Sequence, residues 1–250
     1  MKKRILAVMM TAAMVLGALT GCGQSSKDDK TESATAAETE TISYDVLTQV
    51  RVGYMPNYES LWEVATAINK GYFEEQGLDI KLSSFQVDEA GIGLMASGSV
   101  DVAYIGADVH KQCIEGAAQI FCSSLKVSGE TADCQGWGCL PGYAEANKDI
   151  LVRFTKALYK AMDYGSQEAN YDEVAGYVAD ICGTDKASVL EQAKEGNWID
   201  SKTLLQYLGD GTLKKDYEVQ QKNFIDAGDV DKKVPIEDYV LFDVMEEAGK

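Results

Sequence analysis

One stretch of this chain, Val50 to Leu82, restricts its possible folds more than any other: VRVGYMPNYESLWEVATAINKGYFEEQGLDIKL. Val50 and Val52 alternate with polar neighbours, and Gly53 and Pro56 end the extended run. Ser60 followed by Glu63 has the spacing of a capping box, in which the hydroxyl takes the Glu63 N–H and the carboxylate reaches back. Leu61, Val64, Ala65 and Ile68 then recur at helical spacing. Gly71 supplies the stop, and Gly77 turns the chain into the alternating strand Leu78, Ile80, Leu82. Strand, helix and strand make a βαβ unit, whose two strands run parallel. Such a unit sets a helix N-terminus at the carboxyl end of its first strand. The unpaired N–H groups and partial positive charge there receive anions well. The turn Tyr54–Ser60 is therefore the first candidate binding surface.

The start of the chain reads as a targeting segment. Lys2, Lys3 and Arg4 precede an apolar run from Ile5 to Leu16, too short to span a membrane as a mature helix. The run leads to Leu19-Thr20-Gly21-Cys22, which resembles the lipobox of bacterial lipoproteins. That resemblance implies a signal peptide over 1–21, lipid on Cys22, and an exported protein anchored to the outer face of the cytoplasmic membrane. Residues 22–43, rich in Ser, Thr, Ala and acids and without aromatics before Tyr44, read as a flexible tether. Loss of the leader takes the balance from 23 basic and 40 acidic residues to 20 and 40, a net charge near −20. That surface disfavours nucleic acid and anionic headgroups.

Beyond the βαβ unit, a helical pattern capped at Asp88 runs to Met95 and ends at Ser97-Gly98. A strand over Ser99–Gly106, a short helix over Ala107–Gly116 and a strand over Ala118–Ser123 follow, and this alternation argues for a largely parallel sheet. The segments GYFEEQGLD (71–79), SGSVDVAYIG (97–106) and a helix at Asn147–Leu158 resemble solute-binding proteins of ABC transporters. The likeness is to the nitrate, sulfonate and taurine branch, which also includes binders of thiamine-pyrimidine precursors. It implies an α/β, periplasmic-binding-protein-like (type II) fold and a substrate-binding lipoprotein of an ABC importer. Such a protein is not an enzyme. As a monomer it captures a sulfonate, a nitrate-like anion or a pyrimidine precursor for permease subunits.

The chain departs from that pattern after Ser123. Ser123–Gly129 runs almost at once into Cys134–Leu140, and nothing between 125 and 145 reads as a βαβ unit. The expectation is a first α/β lobe over 44–128, a returning strand and helical part over 129–250, and a second lobe largely missing. The returning strand Cys134–Leu140 should then lie beside Val102–Ile105. Helices are read over Asn170–Gly183, Thr184–Gly196, Asp200–Leu208, Thr212–Ala227 and Ile236–Gly249. An inactive truncated remnant, or an enzyme on the same fold resembling the pyrimidine-precursor synthases, are the alternatives.

Candidate chemistry is sparse. Apart from Cys22 there are Cys113, Cys122, Cys134, Cys139 and Cys182, with no C-x-x-C spacing and one histidine, His110, so neither a zinc site nor another metal or cofactor is expected. Cys134 and Cys139 are near enough to bridge, and buried reduced thiols are the other reading. His110 is the sole candidate base for a nucleophile, but no G-x-S-x-G elbow accompanies it, and a surface or cap role is expected. Ligand-binding residues are read in two turns: Tyr54, Asn57, Tyr58, Glu59 and Ser60 after the first strand, and Gly106, Ala107 and Asp108 after the strand ending in Gly106. Trp137 in the returning segment is a further cleft candidate. Glu59 sets a negative charge at a mouth otherwise suited to an anion, so it fits a capping role or a cationic ligand group.

Overall fold

The structure, a computed structural model, describes residue 44 and residues 46–87, 89–128 and 131–250. The expected signal peptide, Cys22, the expected tether and the Asp88 cap lie outside the described residues.

Strand β1 (Thr48–Tyr54) buries Val50 and Val52 completely. Helix α1 (Tyr58–Asn69) follows, then a single turn of helix, α2 (Tyr72–Glu75), and strand β2 (Leu78–Ser84). β1 and β2 are parallel, with Val50 opposite Ile80 and Val52 opposite Leu82. Gly77, at φ 68°, makes the turn into β2 in the left-handed region that a side chain resists. Helix α3 (Ala90–Ala96) leads to β3 (Val102–Ile105), which pairs with β1 on the side away from β2. The chain thus leaves β1 to one side and returns to the other, and the carboxyl ends of β1 and β3 flank a topological switch point.

A 3-10 turn at Ala107–Val109 and helix α4 (His110–Ile114) precede β4 (Gln119–Ser128) and β5 (Thr131–Cys139). β4 and β5 are antiparallel, and β5 inserts between β4 and β3, giving the order β2-β1-β3-β5-β4-β6. The returning strand therefore lies beside Val102–Ile105, as the sequence suggests. Three of the five strand pairings among the described residues are antiparallel, because the chain comes back directly through β4 and β5 rather than by a helical crossover. The crossing is tight at Gly136, where a Cβ would stand 2.3 Å from the Cys122 carbonyl oxygen, next to a bulge between Ile120 and Cys122. Among the described residues there is no second sheet to centre another lobe.

The rest is helical: α5 (Pro141–Ala146), α6 (Lys148–Gly165), α7 (Tyr171–Cys182) and α8 (Lys186–Ala193). The two-residue β6 (Asn197–Trp198), α9 (Ser201–Asp210), α10 (Thr212–Ala227) and α11 (Phe242–Ala248) complete it. The helix expected over Ile236–Gly249 is interrupted. Ile236–Asp238 forms a 3-10 turn, and the backbone then extends so that Ile120 N–H donates to the Tyr239 carbonyl (2.7 Å) and Leu241 N–H to that of Ile120 (2.8 Å). Pairing with the sheet outweighs local helical periodicity here. Asn147 does not cap α6 with its side chain, because its amide donates back to the Tyr143 carbonyl. The core meets where α1 and α6 cover the sheet: Phe154 packs 5.6 Å from Phe121 and 6.0 Å from Trp137, ring to ring. No described helix is long and apolar enough to cross a membrane.

Candidate functional site

The turn after β1 is built differently from the capping box its sequence suggests. Asn57 caps α1, its Oδ1 accepting the Ser60 N–H at 2.9 Å. The Ser60 hydroxyl donates to the Met55 carbonyl (2.7 Å) and accepts the Met55 N–H (2.9 Å), holding the turn closed. The Tyr58 N–H donates to Gln192 Oε1 at 2.9 Å. Two N–H groups of the first turn are therefore engaged by protein oxygens, and Glu59 stands among them.

Glu63, the other half of the expected box, turns inward instead. It is wholly buried and is met by the Ser124 hydroxyl at 2.6 Å and by Trp137 Nε1–H at 2.8 Å. Burial pushes its carboxyl up to about 7, against the pull of those two hydrogen bonds.

Between the β1–α1 turn, the turn after β3 and β5 lies a cleft of about 360 Å³ at the switch point. Five of the expected residues line it: Asn57, Glu59, Gly106, Ala107 and Asp108. Met55, Tyr104, Asp133 and Gln135 complete the lining and were not anticipated. Strand alternation through Cys134–Leu140, carried one residue back, is the signal that puts Asp133, Gln135 and Trp137 on one face. Gln220 of α10 ties the two walls together, its Nε2 donating to the carbonyls of Ala107 (3.2 Å) and Cys134 (3.0 Å).

Four expected site residues belong to the interior. Tyr58 is fully buried, its ring 5.4 Å from Trp198 and 6.4 Å from Trp62. Trp137 is fully buried and its indole N–H goes to Glu63. Ser60 is consumed by the turn, and Tyr54 at the end of β1 is buried without lining the cleft. Aromatic area draws these side chains to the core.

His110 is not on the surface, and although its backbone closes the 3-10 turn, its ring makes no capping hydrogen bond. It is completely buried and stacks on Tyr217 at 5.7 Å, and burial pulls its imidazole down to about 4, so it is neutral near pH 7. The five described cysteines are all free thiols; four are buried and Cys182 is half-buried. Burial raises Cys113 and Cys139 each to about 12, far from a reactive thiolate. No cluster of three metal-ligating side chains occurs among the described residues. Wider grooves of about 420 and 510 Å³ lie along α10 and along the β2 edge, away from the switch point.

No family model and no curated protein sequence matches the chain. Solved structures do. A Candida albicans protein that defines a new family with the generic periplasmic binding protein fold aligns with TM-score 0.57 and 12% identity, over 78% of this chain and 96% of its own. The periplasmic sulfonate-binding protein of a sulfonate ABC transporter from Methylobacillus flagellatus aligns with TM-score 0.55 and 10% identity, over 81% and 94%. The fold is that of periplasmic binding proteins.

Proposed function

We propose that this protein is an exported, lipid-anchored solute-binding protein of an ABC importer, which captures a small polar solute and presents it to a permease. The observation that carries the reading is the cleft at the carboxyl ends of β1 and β3, where open α/β sheets hold their ligands. A volume of about 360 Å³ suits a metabolite-sized solute. Lipid on Cys22 and a tether over 22–43 would set this body at the membrane beside its permease. An enzyme on the same fold has less support, since no nucleophile stands beside a base among the described lining residues and the one histidine is buried and neutral. The single sheet favours a second reading, a truncated remnant that no longer holds solute.

The test is equilibrium dialysis. The purified full-length chain, concentrated to about a millimolar to match a weak site, is dialysed to equilibrium against a bacterial metabolite pool. Both compartments are then analysed by mass spectrometry, alongside the same experiment with Gly106→Trp, which fills the cleft. A small molecule enriched by the parent and not by Gly106→Trp is expected. Enrichment of nothing, or equal enrichment by both, overturns the solute-binding reading and leaves the remnant.

A further inference from the structure

We infer that the cleft is built for an organic cation carrying a hydrogen-bond acceptor, such as a small hydroxylated or amide-bearing amine, and not for a sulfonate or nitrate. The inference rests on the solute-binding reading of the cleft and specifies the charge of what it holds. The lining residues whose side chains carry charge near neutral pH are all carboxylic: Glu59 from α1, Asp108 from the turn after β3, and Asp133 from β5. Tyr104 adds a ring to the wall, whose face attracts a cation.

The floor supplies an independent sign of a ligand. Gln135 is 1% exposed and lines the cleft, yet its Nε2 has no hydrogen-bond partner. A buried amide donor left unmade is costly, so the site wants an acceptor there. One ligand meets both demands if it presents N–H donors or positive charge to the rim and an oxygen to the floor. An anion finds the reverse. The N–H groups of Tyr58 and Ser60 at the start of α1, which would have held it, are already taken by Gln192 and Asn57. A bare metal ion is excluded by dispersion of the acids, since no three such ligands come together among the described residues.

Register alone sets Lys126 across from Asp133, so Asp108 gives the cleaner test of the charge argument. Both aspartates are exposed, so exchange to asparagine leaves the fold intact.

The experiment is NMR titration of the isotope-labelled full-length chain, following the side-chain amide of Gln135, assigned by its loss in Gln135→Leu. The probes are ethanolamine, methylammonium, ethanesulfonate and nitrate. Ethanolamine should shift the Gln135 amide, bind more tightly than methylammonium, which lacks the acceptor, and weaken as salt is added. Asp108→Asn should weaken ethanolamine about twofold to fivefold, the upper part of the range for exposed charge pairs. Ethanesulfonate or nitrate shifting the Gln135 amide at lower concentration than ethanolamine would overturn the charge assignment while keeping the solute site. An ethanolamine affinity unchanged in Asp108→Asn would do the same. Silence of every cleft signal to every probe would overturn the site itself, and the charge assignment with it.

Discussion

Replacing Glu63 by glutamine should make the protein more stable at alkaline pH and leave it nearly unchanged at acid pH. The carboxyl lies between the Ser124 hydroxyl and the Trp137 N–H with no cation beside it. Its proton is held to about 7 in the folded chain against a reference of 4.5, a difference of about 2.5 units. At about 1.36 kcal/mol per unit, ionising it inside the fold costs about 3 kcal/mol. The sign follows from linkage: a raised folded-state value means that the folded state binds the proton more tightly. The stabilisation is therefore complete below 4.5 and is lost as pH rises through 7. Glutamine reproduces the neutral acid. Its oxygen accepts from Trp137 and its NH2 donates to Ser124, whose hydroxyl rotates to accept.

The assay is urea unfolding of parent and Glu63→Gln across the range from mildly acid to mildly alkaline pH. The quantity read is the difference between the two proteins, in which all other titrating groups cancel to first order. It should be near zero at the acid end and grow to about 3 kcal/mol in favour of the variant at the alkaline end. A variant less stable than the parent at every pH would refute the reasoning, because it would mean that the ionised carboxylate is what Ser124 and Trp137 hold.

Other expectations are briefer. Of the thiols beyond Cys22, Cys182 alone should react promptly with a chromogenic disulfide reagent in the native protein, and Cys113, Cys122, Cys134 and Cys139 only on unfolding; fast reaction of two or more would contradict their burial. Gly136→Ala should cost about 1–3 kcal/mol in urea unfolding, since its Cβ falls 2.3 Å from the Cys122 carbonyl oxygen and the sheet must give. Cys22→Ala should release the protein from the membrane fraction or leave it unprocessed, and identical fractionation of the two would sink the lipoprotein assignment.

What the sequence makes legible is what local pattern decides. Val50, Val52, Ile80 and Leu82 announce a parallel pair through alternation and glycine punctuation, and they pair in that register. The break after Ser123 likewise announces a direct return, and β5 arrives beside β3. Ser60 and Glu63 show the limit. Their spacing satisfies a capping box, but the partners that win Glu63 lie 61 and 74 residues away. Nothing within four residues distinguishes the two outcomes. Aromatics mislead for a related reason: Tyr58 and Trp137 sit at turn and cleft positions in the sequence, and the area they bury sends them inside. Gln135 was within reach of alternation from Trp137, and Asp133 only once β5 was known to begin before Cys134.

The arrangement of the cleft also sets how tightly it can bind. Glu59 and Glu63 stand four residues apart on α1, and Gln135 and Trp137 two apart on β5. Each element thus sends one side chain to the cleft and the next into the core, where Trp137 and Glu63 are bonded to each other. The residues behind the floor are thus already paired in the core, so a solute arriving there would have little of them to order. That support does not replace a second lobe. With one sheet among the described residues, a solute held there would have no second lobe to close over it. Each hydrogen bond made there is worth about 0.5–1.5 kcal/mol net, so three of them give roughly 1.5–4.5 kcal/mol. That corresponds to a dissociation constant of about a millimolar at best, since about 4.1 kcal/mol is needed for 1 mM. Calorimetry of the isolated chain with a cleft-binding solute should return such a value. Submicromolar affinity from the monomer would require a second face closing over the ligand, and would contradict the one-sided site.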